Sequence, residues 1–562
     1  MSGKKNKSTP KPQPVKKASV PETAQTTLLA GLENWCSEHQ KVILPVVLLT
    51  SFLFSLLLFD VKISEANDDS LYIEGGYNFA QDIHHAFTAN APLYPLLLSI
   101  PIKLFGLHLV LLKSISVIFT LLHILFLYLA FRKRIPFVVL IPVMFIVATN
   151  SYFQYFASQT FTESLFMFLQ ALFVYYFFKA YDQVKEKTSI KESWKQWLLI
   201  GFFIFLLSFC KNIAVGAIGA IILFFLFEKK YLYAIYAVGG FIISRIPFEI
   251  IKKLLWGASQ NQFGSQTSIL LQKDPYDPSK GQDDISGFIQ RFLDNFNLYI
   301  SKRLFQILGF RSPDDITTKG GLVLIFFIFI IISAYWIIKN KQKVMGFVWI
   351  YFFIMMSLMF TVLQTRWDQP RMIMVYVPFM LLAIFYGMYA IVIRKSSFMQ
   401  FLYLVFVAVI FFSGFFTTIA KSVKNYPVIK KNIAGDVYYG YTPDWINFLK
   451  LSKYCSDSLP PKSYVASRKA PMSFVYGNGK KFYPVYTVFS GNPDTVLNTF
   501  KRDSVTHIMV ASLRRNPKKL DGYVINTIQR LLQPLAQKYP YKLTLVKQIG
   551  ESEQAYLYKI NY

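Results

Sequence analysis

Cysteine is nearly missing from this chain: there are three in 562 residues, Cys36, Cys210 and Cys455. Their spacing forms neither a disulfide framework nor a metal-ligand pattern. Charge is also scarce, at 16% of residues, against about 25% in ordinary soluble domains. Acidic residues are the rarer sign, 31 against 60 Lys plus Arg, for a formal net charge of +29. There is no Gly-rich phosphate loop, no Walker motif and no Ser-His-Asp spacing, so ATP-driven transport has no support. No nucleic-acid motif accompanies the positive balance. The Lys and Arg residues fall in short clusters between apolar runs, which reads as membrane topology and anionic-lipid contact. No internal repeat is visible. No apolar core follows Met1 closely, because residues to about Lys41 are polar. On this pattern no cleavable signal is expected, and the first apolar segment should be a retained anchor.

What the chain does have is apolar length. It is 54% hydrophobic, with 55 Phe and 35 Tyr. Eleven runs read as spans: 42–59, 108–131, 135–150, 160–180, 195–210, 212–227, 231–247, 320–338, 344–362, 372–393 and 398–420. Residues 1–24 are rich in Lys, Pro, Ser and Thr and read as disordered, and 25–40 as an interfacial helix. The basic start places the N-terminus inside the cell. The connections then inside are Arg132-Lys133-Arg134, the Lys-rich stretch 182–194, Glu228-Lys229-Lys230, Lys339–Lys343 and Arg394-Lys395, each basic or Lys-rich. Loops 60–107 and 248–319 and the tail fall outside. The first loop should hold a juxtamembrane helix pair, since Ala91–Phe105 is apolar but broken by Pro92, Pro95 and Pro101. The polar 248–319 loop reads as a flap over a site. After residue 421 the pattern shortens. Ser463–Ser467, Phe482–Val488, His507–Ala511 and Tyr541–Val546 read as strands; Asp494–Lys501 and Tyr523–Lys538 read as helices. The expected fold is a polytopic α-helical membrane protein with a C-terminal α/β domain. Its parts are a basic N-terminus 1–41, a membrane domain 42–420 and an outer domain 421–562.

Four sets of residues have chemical potential. Asp68-Asp69 sits just beyond the first span, in Glu65–Ala86. A transferase moving a sugar onto a hydroxyl needs a base at that surface, and either Asp serves; either could equally hold a divalent cation. The plain alternative is a solvated acidic loop. Glu163 lies one turn inside the outer end of the fourth span. A carboxylate at that depth is costly unless paired or lining a polar cavity; the alternative is a helix cap near Thr160 or Thr162. Lys211, Arg366 and Arg371, with Arg245, put positive charge at outer span ends, against the usual bias. Phosphate binding accounts for them, as does snorkelling to headgroups. His84-His85 offers metal or phosphate contact, though adjacent His on a helix point apart.

In this order the motifs resemble the GT-C superfamily of polytopic glycosyltransferases. They are most similar to bacterial relatives of the dolichyl-phosphate-mannose protein mannosyltransferases and of the aminoarabinose lipid A transferases. The resemblance covers about residues 42–420. It rests on "NDDSLY" with its aromatic Tyr72, on "APLYPLLLSIPIKLFG", on "FTESLFMFLQAL", on "FCKNIAVGAI" and on "RWDQPRMIMVYVPFML". There are departures: Asn90-Ala91 stands where aminoarabinose-type relatives carry a phosphate-holding Lys, leaving Lys103 or Lys211 to compensate, and Lys211-Asn212 replaces an Arg-Pro pair. The resemblance implies an inverting transfer from a polyprenyl-phosphate sugar to an extracytoplasmic acceptor. Asp68 is the chosen base, and Lys211 with Arg371, or a divalent metal, stabilises the departing phosphate. No other cofactor is implied. The implied partners are that donor, membrane lipids and the acceptor; the implied location is the bacterial cytoplasmic membrane. Two other classes compete: an O-antigen polymerase or ligase, which should concentrate Arg and His in a mid-chain outer loop, and a secondary transporter or flippase, which should show internal repeats. A GT-C-like scaffold without activity is the third alternative.

Overall fold

The computed structural model describes residues 27–64, 68–85, 91–185, 190–257, 270–274, 280–515 and 523–562. The basic N-terminal run, Glu65, Asn90 and residues 258–269 and 275–279 of the expected flap lie outside them. A short helix α1 (Leu28–Glu38), where the interfacial helix was expected, leads into α2 (Gln40–Leu57). Then come α3 (Asp68–Gln81), α4 (Leu93–Phe105), α5 (Leu109–Phe131), α6 (Phe137–Thr149), α7 (Ser151–Ala157) and α8 (Thr162–Lys185). They are followed by α9 (Ile190–Cys210), α10 (Gly216–Phe227) and α11 (Tyr231–Trp256). The membrane region closes with α12 (Ile285–Asn297), α13 (Gly320–Lys339), α14 (Lys343–Val362), α15 (Val377–Val392) and α16 (Ser397–Ile433).

Eight helices among the described residues are long and apolar enough to cross a membrane. The bent pair α6–α7, turning by 59°, makes a ninth. The other two expected spans are helical but short: Gly216–Phe227 has 12 residues and Val377–Val392 has 16. A polar residue marks the bend in the α6–α7 pair. Asn150 ends α6, accepts from Tyr152 N at 2.9 Å to cap α7, and donates to Ile307 O at 2.6 Å. A single turn of 3-10 helix, Asn212–Val215, precedes α10. The expected flap is also more ordered than its polarity suggests, for it contains α12 and a π-helical turn, Leu298–Leu304. There Asn295 donates to Phe360 O and Leu363 O at 2.8 and 2.6 Å.

Side-chain pairs give the bundle two chemically distinct ends. At one end Arg134 pairs with Asp182, Tyr181 donates to Glu228, and Glu228 binds Lys343. At the other end the first residues of α3 and α8 meet the loops after α9 and α14. Helix α8 joins the two ends. The apolar stretch of α8 is 72% buried and that of α11 only 17%, so α8 is central and α11 peripheral. Gly201 and Gly240 let α9 and α11 touch: a Cβ on Gly201 would lie 2.1 Å from Ala237 O. The expected pair in the first outer loop is present as α3 against α4, with Leu98 Cβ 2.9 Å from where a Cβ on Gly76 would stand.

Beyond α16 the chain forms a five-stranded mixed sheet in the order β2-β1-β3-β7-β6. The strands are β1 (Val465–Ser467), β2 (Phe482–Pro484), β3 (His507–Val510), β6 (Leu543–Ile549) and β7 (Ala555–Ile560); β4 (Leu513–Arg514) and β5 (Val524–Ile525) form a separate ladder. β1 runs parallel to β2 and β3, while β7 runs antiparallel to β3 and β6. Val496, Phe500, Ile508, Leu531 and Leu535 fill its core. The sheet region is tied to the first outer loop. Tyr441 donates to Ile63 O at 2.5 Å, Lys62 reaches Asn432 Oδ1 at 3.5 Å, and Tyr77 of α3 meets Phe474 edge-on at 5.2 Å.

Candidate active site

Four of the charged residues singled out in the sequence meet at one end of the bundle. Arg371 Nη2 donates to Asp68 Oδ2, and its Nη1 lies 3.6 Å from Glu163 Oε1. Lys211 Nζ donates to the same Glu163 oxygen at 2.7 Å. Each is placed by the start or end of an apolar helix. Asp68 opens α3 and Glu163 opens α8, where the helix dipole favours negative charge. Lys211 follows the last residue of α9, and Arg371 starts a short helical turn after Pro370. Phe161 lies under the Arg371 guanidinium, 4.8 Å from carbon to ring centre. Gln369 accepts from Arg371 Nε at 2.5 Å.

Exposure separates the two carboxylates. The side chain of Asp68 is 35% exposed and that of Glu163 is 0%. Asp68 can therefore meet a substrate, whereas Glu163 can only hold the cations around it. The second oxygen of Glu163, Oε2, is buried without a hydrogen-bond partner among the described residues, an imbalance that native structures rarely carry. Tyr72 joins the cluster from one turn further along α3. Burial pushes its phenol well above the ordinary range, and the charges of Asp68 and Glu163 push the same way. Tyr94 meets the Tyr72 ring edge-on at 5.7 Å.

Asp69 is placed differently from its neighbour. It is fully buried and accepts from Ser64 N at 2.7 Å and Ser70 N at 2.9 Å. Burial pushes its carboxyl up to about 6, against the opposing pull of Lys113 and of these amides. A carboxylate engaged this way braces the loop, and its oxygens meet these amides rather than Arg371.

Four further residues singled out in the sequence are placed elsewhere. Arg366 turns away from Arg371 to Asp274, at 3.0 and 3.1 Å, because Pro370 starts a new turn between the two arginines. Arg245 pairs within α11 with Glu249, one turn on. Lys103 is exposed in the last turn of α4. His84 is exposed and bonded to Asp82 at 2.9 Å. None of these four joins the cluster.

Several residues that the sequence reading passed over surround the site. Lys113 is fully buried, donating to Lys62 O and, at 2.8 Å, to Gln159 Oε1. Its position four residues into an apolar helix was the available signal, since intramembrane ionisable groups rarely lack a role. Asp368, three residues before Arg371, binds Lys302 and Arg303 at 2.5 Å each. That second cationic group comes from the π-helical turn, whose register no apolar pattern reports.

A divalent ion would need ligands here. Among the described residues, no three His, Cys, Asp or Glu side chains converge as a metal site. Asp68 and Glu163 both pair with cations.

No protein-family model matches the chain, and no curated protein matches it. Solved structures do. The oligosaccharyltransferase AglB of Archaeoglobus fulgidus, in complex with an inhibitory peptide and a dolichol-phosphate, shares 12% identity at a TM-score of 0.52, over 84% of this chain and 70% of that one. The A. fulgidus oligosaccharyltransferase tethered by a disulfide to an acceptor peptide containing the NVT sequon shares 13% identity at 0.54, over 85% and 70%. Its complex with Zn and sulfate shares 14% at 0.54, over 83% and 68%. The likeness shows a common fold over most of this chain, a helical membrane region followed by a smaller sheet-containing region.

Proposed function

We propose that this chain is an integral-membrane glycosyltransferase that moves a sugar from a polyprenyl-phosphate donor to an extracytoplasmic acceptor with inversion. The observation that carries the reading is the Asp68–Arg371–Glu163–Lys211 cluster at one end of a GT-C bundle. It combines one accessible carboxylate with two cations that a buried carboxylate holds in place. The fold likeness supports it, since a neighbour of the same fold was solved with dolichol-phosphate.

The chemistry follows from these groups. The acceptor hydroxyl oxygen attacks the anomeric carbon from the face opposite the phosphate. Asp68 takes the hydroxyl proton as the new C–O bond forms. The bond from the anomeric carbon to the phosphate oxygen breaks, and the electron pair leaves with the lipid phosphate. Arg371, through its forked N–H groups, and Lys211 stabilise that growing charge. Donor binding must first separate Arg371 from Asp68. The phosphate then takes the place of the carboxylate on the guanidinium, and Asp68 is freed to act as the base. Glu163 keeps both cations aimed, and Tyr72, held neutral, offers an O–H to the phosphate or the sugar. The tail beyond α16 helps to hold the acceptor. The site faces outward across the bacterial cytoplasmic membrane, and the basic end faces inward.

The test is sugar transfer from radiolabelled polyprenyl-phosphate sugars in membranes containing the wild type or Asp68→Asn at equal expression. Transfer that collapses in the variant supports the reading. Wild-type transfer that Asp68→Asn leaves intact removes the proposed base.

A further inference from the structure

The opposite end of the bundle carries a second feature, unconnected with the charged cluster. From Glu163 to Asp182, α8 rises on the order of 30 Å, so this feature lies a membrane's depth away. There α10, α13 and α14 part around a cleft of about 480 Å³, within the ~300–1,000 Å³ of ligand pockets. Its walls are apolar: Phe224 and Phe227 from α10, Ala334 and Ile338 from α13, and Trp349 and Ile350 from α14. Small residues keep it open. A Cβ on Gly346 of α14 would meet only Ile337 Cγ2, at 3.9 Å.

The mouth has the reverse character. It is formed by Glu228, Lys341, Gln342 and Lys343. Glu228 is spent on Lys343 and on the Tyr181 hydroxyl, the latter at 3.1 Å. Lys341 is exposed and has no partner among the described residues; its left-handed backbone, φ 51°, fixes it at the tip of the turn. Lys229 and Lys230 follow Glu228 directly. The rim is therefore net positive, over walls that offer water almost nothing to bond. An apolar cavity of this kind stays dry and takes hydrocarbon, and basic pockets between spans at a headgroup surface select anionic headgroups.

We propose that this cleft is a binding site for an anionic phospholipid, with an acyl chain between α10, α13 and α14 and the headgroup phosphate on Lys341, supported by Lys229 and Lys230. A zwitterionic lipid would place an ammonium against the same rim and bind less.

The test is native mass spectrometry of the detergent-purified full chain titrated with phosphatidylglycerol or phosphatidylcholine. Wild type should retain phosphatidylglycerol at least fivefold better. Lys341→Asn, a residue at ease in a left-handed turn, should reduce that preference at least threefold. Ala334→Phe, which fills the cleft, should lower retention of both lipids, while Ile331→Phe on the lipid-facing side of α13 should not. Thermal unfolding profiles check that each variant is folded. Equal retention of the two lipids by wild type, which needs no variant, overturns the proposal. So does retention unchanged by Ala334→Phe in a folded protein, or displacement by glycerol phosphate at the concentrations where phosphatidylglycerol binds, which would assign the rim to a soluble phosphate.

Discussion

Arg371 and Asp68 stand 303 positions apart in the chain and close on each other as an ion pair at the mouth of the candidate site. The cation suited to phosphate is thus paired with the carboxylate suited to proton removal. The pair keeps two opposite charges satisfied at a bilayer surface, where leaving either alone is costly. In the proposed mechanism neither group is ready until the donor phosphate arrives.

Asp68→Asn keeps the shape of the side chain and removes the base. Its expected effect is a fall in sugar transfer of about 10²–10⁴-fold, with donor binding retained or tightened because Arg371 loses its carboxylate. Initial rates and donor-lipid binding, measured on the same preparation, check the two halves of this expectation.

Arg371→Lys keeps the charge and loses the fork. A compact ammonium cannot face Asp68 and Glu163 at once as the guanidinium does. The expected loss in kcat/KM for the donor is about 10²-fold, or roughly 2.7 kcal/mol. Activity at the wild-type level in the Lys variant would remove bidentate phosphate binding from the mechanism.

Glu163→Gln leaves Lys211 and Arg371 facing each other across a neutral amide. Breaking a buried charge network by removing one partner costs about 3–5 kcal/mol, so the apparent Tm in detergent should drop by several degrees. Because Glu163 is fully enclosed, the activity loss should appear mainly in donor KM. A pure kcat loss with unchanged Tm would instead make Glu163 a reacting group.

Asp69 gives a pH signature. Its carboxyl is raised to about 6 in the fold, against about 3.9 in an unfolded chain. Between these values the folded state binds more protons than the unfolded one, so stability falls as pH rises from about 4 to 6. Asp69→Asn should flatten that part of the stability curve. Thermal unfolding across pH 4–7 reads it, and an unchanged slope in the variant would place the titration elsewhere.

Tyr441→Phe removes a hydroxyl that donates to Ile63 O. The expected cost is about 1 kcal/mol, seen as faster proteolysis between α16 and the sheet with the membrane helices intact. Cleavage at the wild-type rate would mean that this bond does not hold the tail.

The pieces of the site were legible where chemistry interrupts hydrophobicity. Asp68, Glu163, Lys211 and Arg371 each stand at the edge of an apolar run, and helices that alternate direction bring such edges together. What the pattern cannot carry is side-chain direction. Asp68 and Asp69 are equivalent on paper, yet the step of about 100° between neighbouring helix positions points Asp69 at Ser64 N. Arg366 and Arg371 look like one cluster until Pro370 divides them. The outer edges of the spans were hardest to place, because Asn150 and the Asn212–Val215 turn break helices without lowering mean hydropathy much. In the tail, the strand Ala555–Ile560 was passed over although it pairs with two others.

The tail's grip on residues 60–64 has one more consequence. The helix at Ala470–Tyr476 packs on α3, and Tyr77 of α3 packs on Phe474, while Tyr441 fastens the backbone just upstream of Asp68. Sheet, loop and the helix that opens at Asp68 are thereby fastened together, so a tilt of the sheet would be passed to the carboxylate at the mouth of the site.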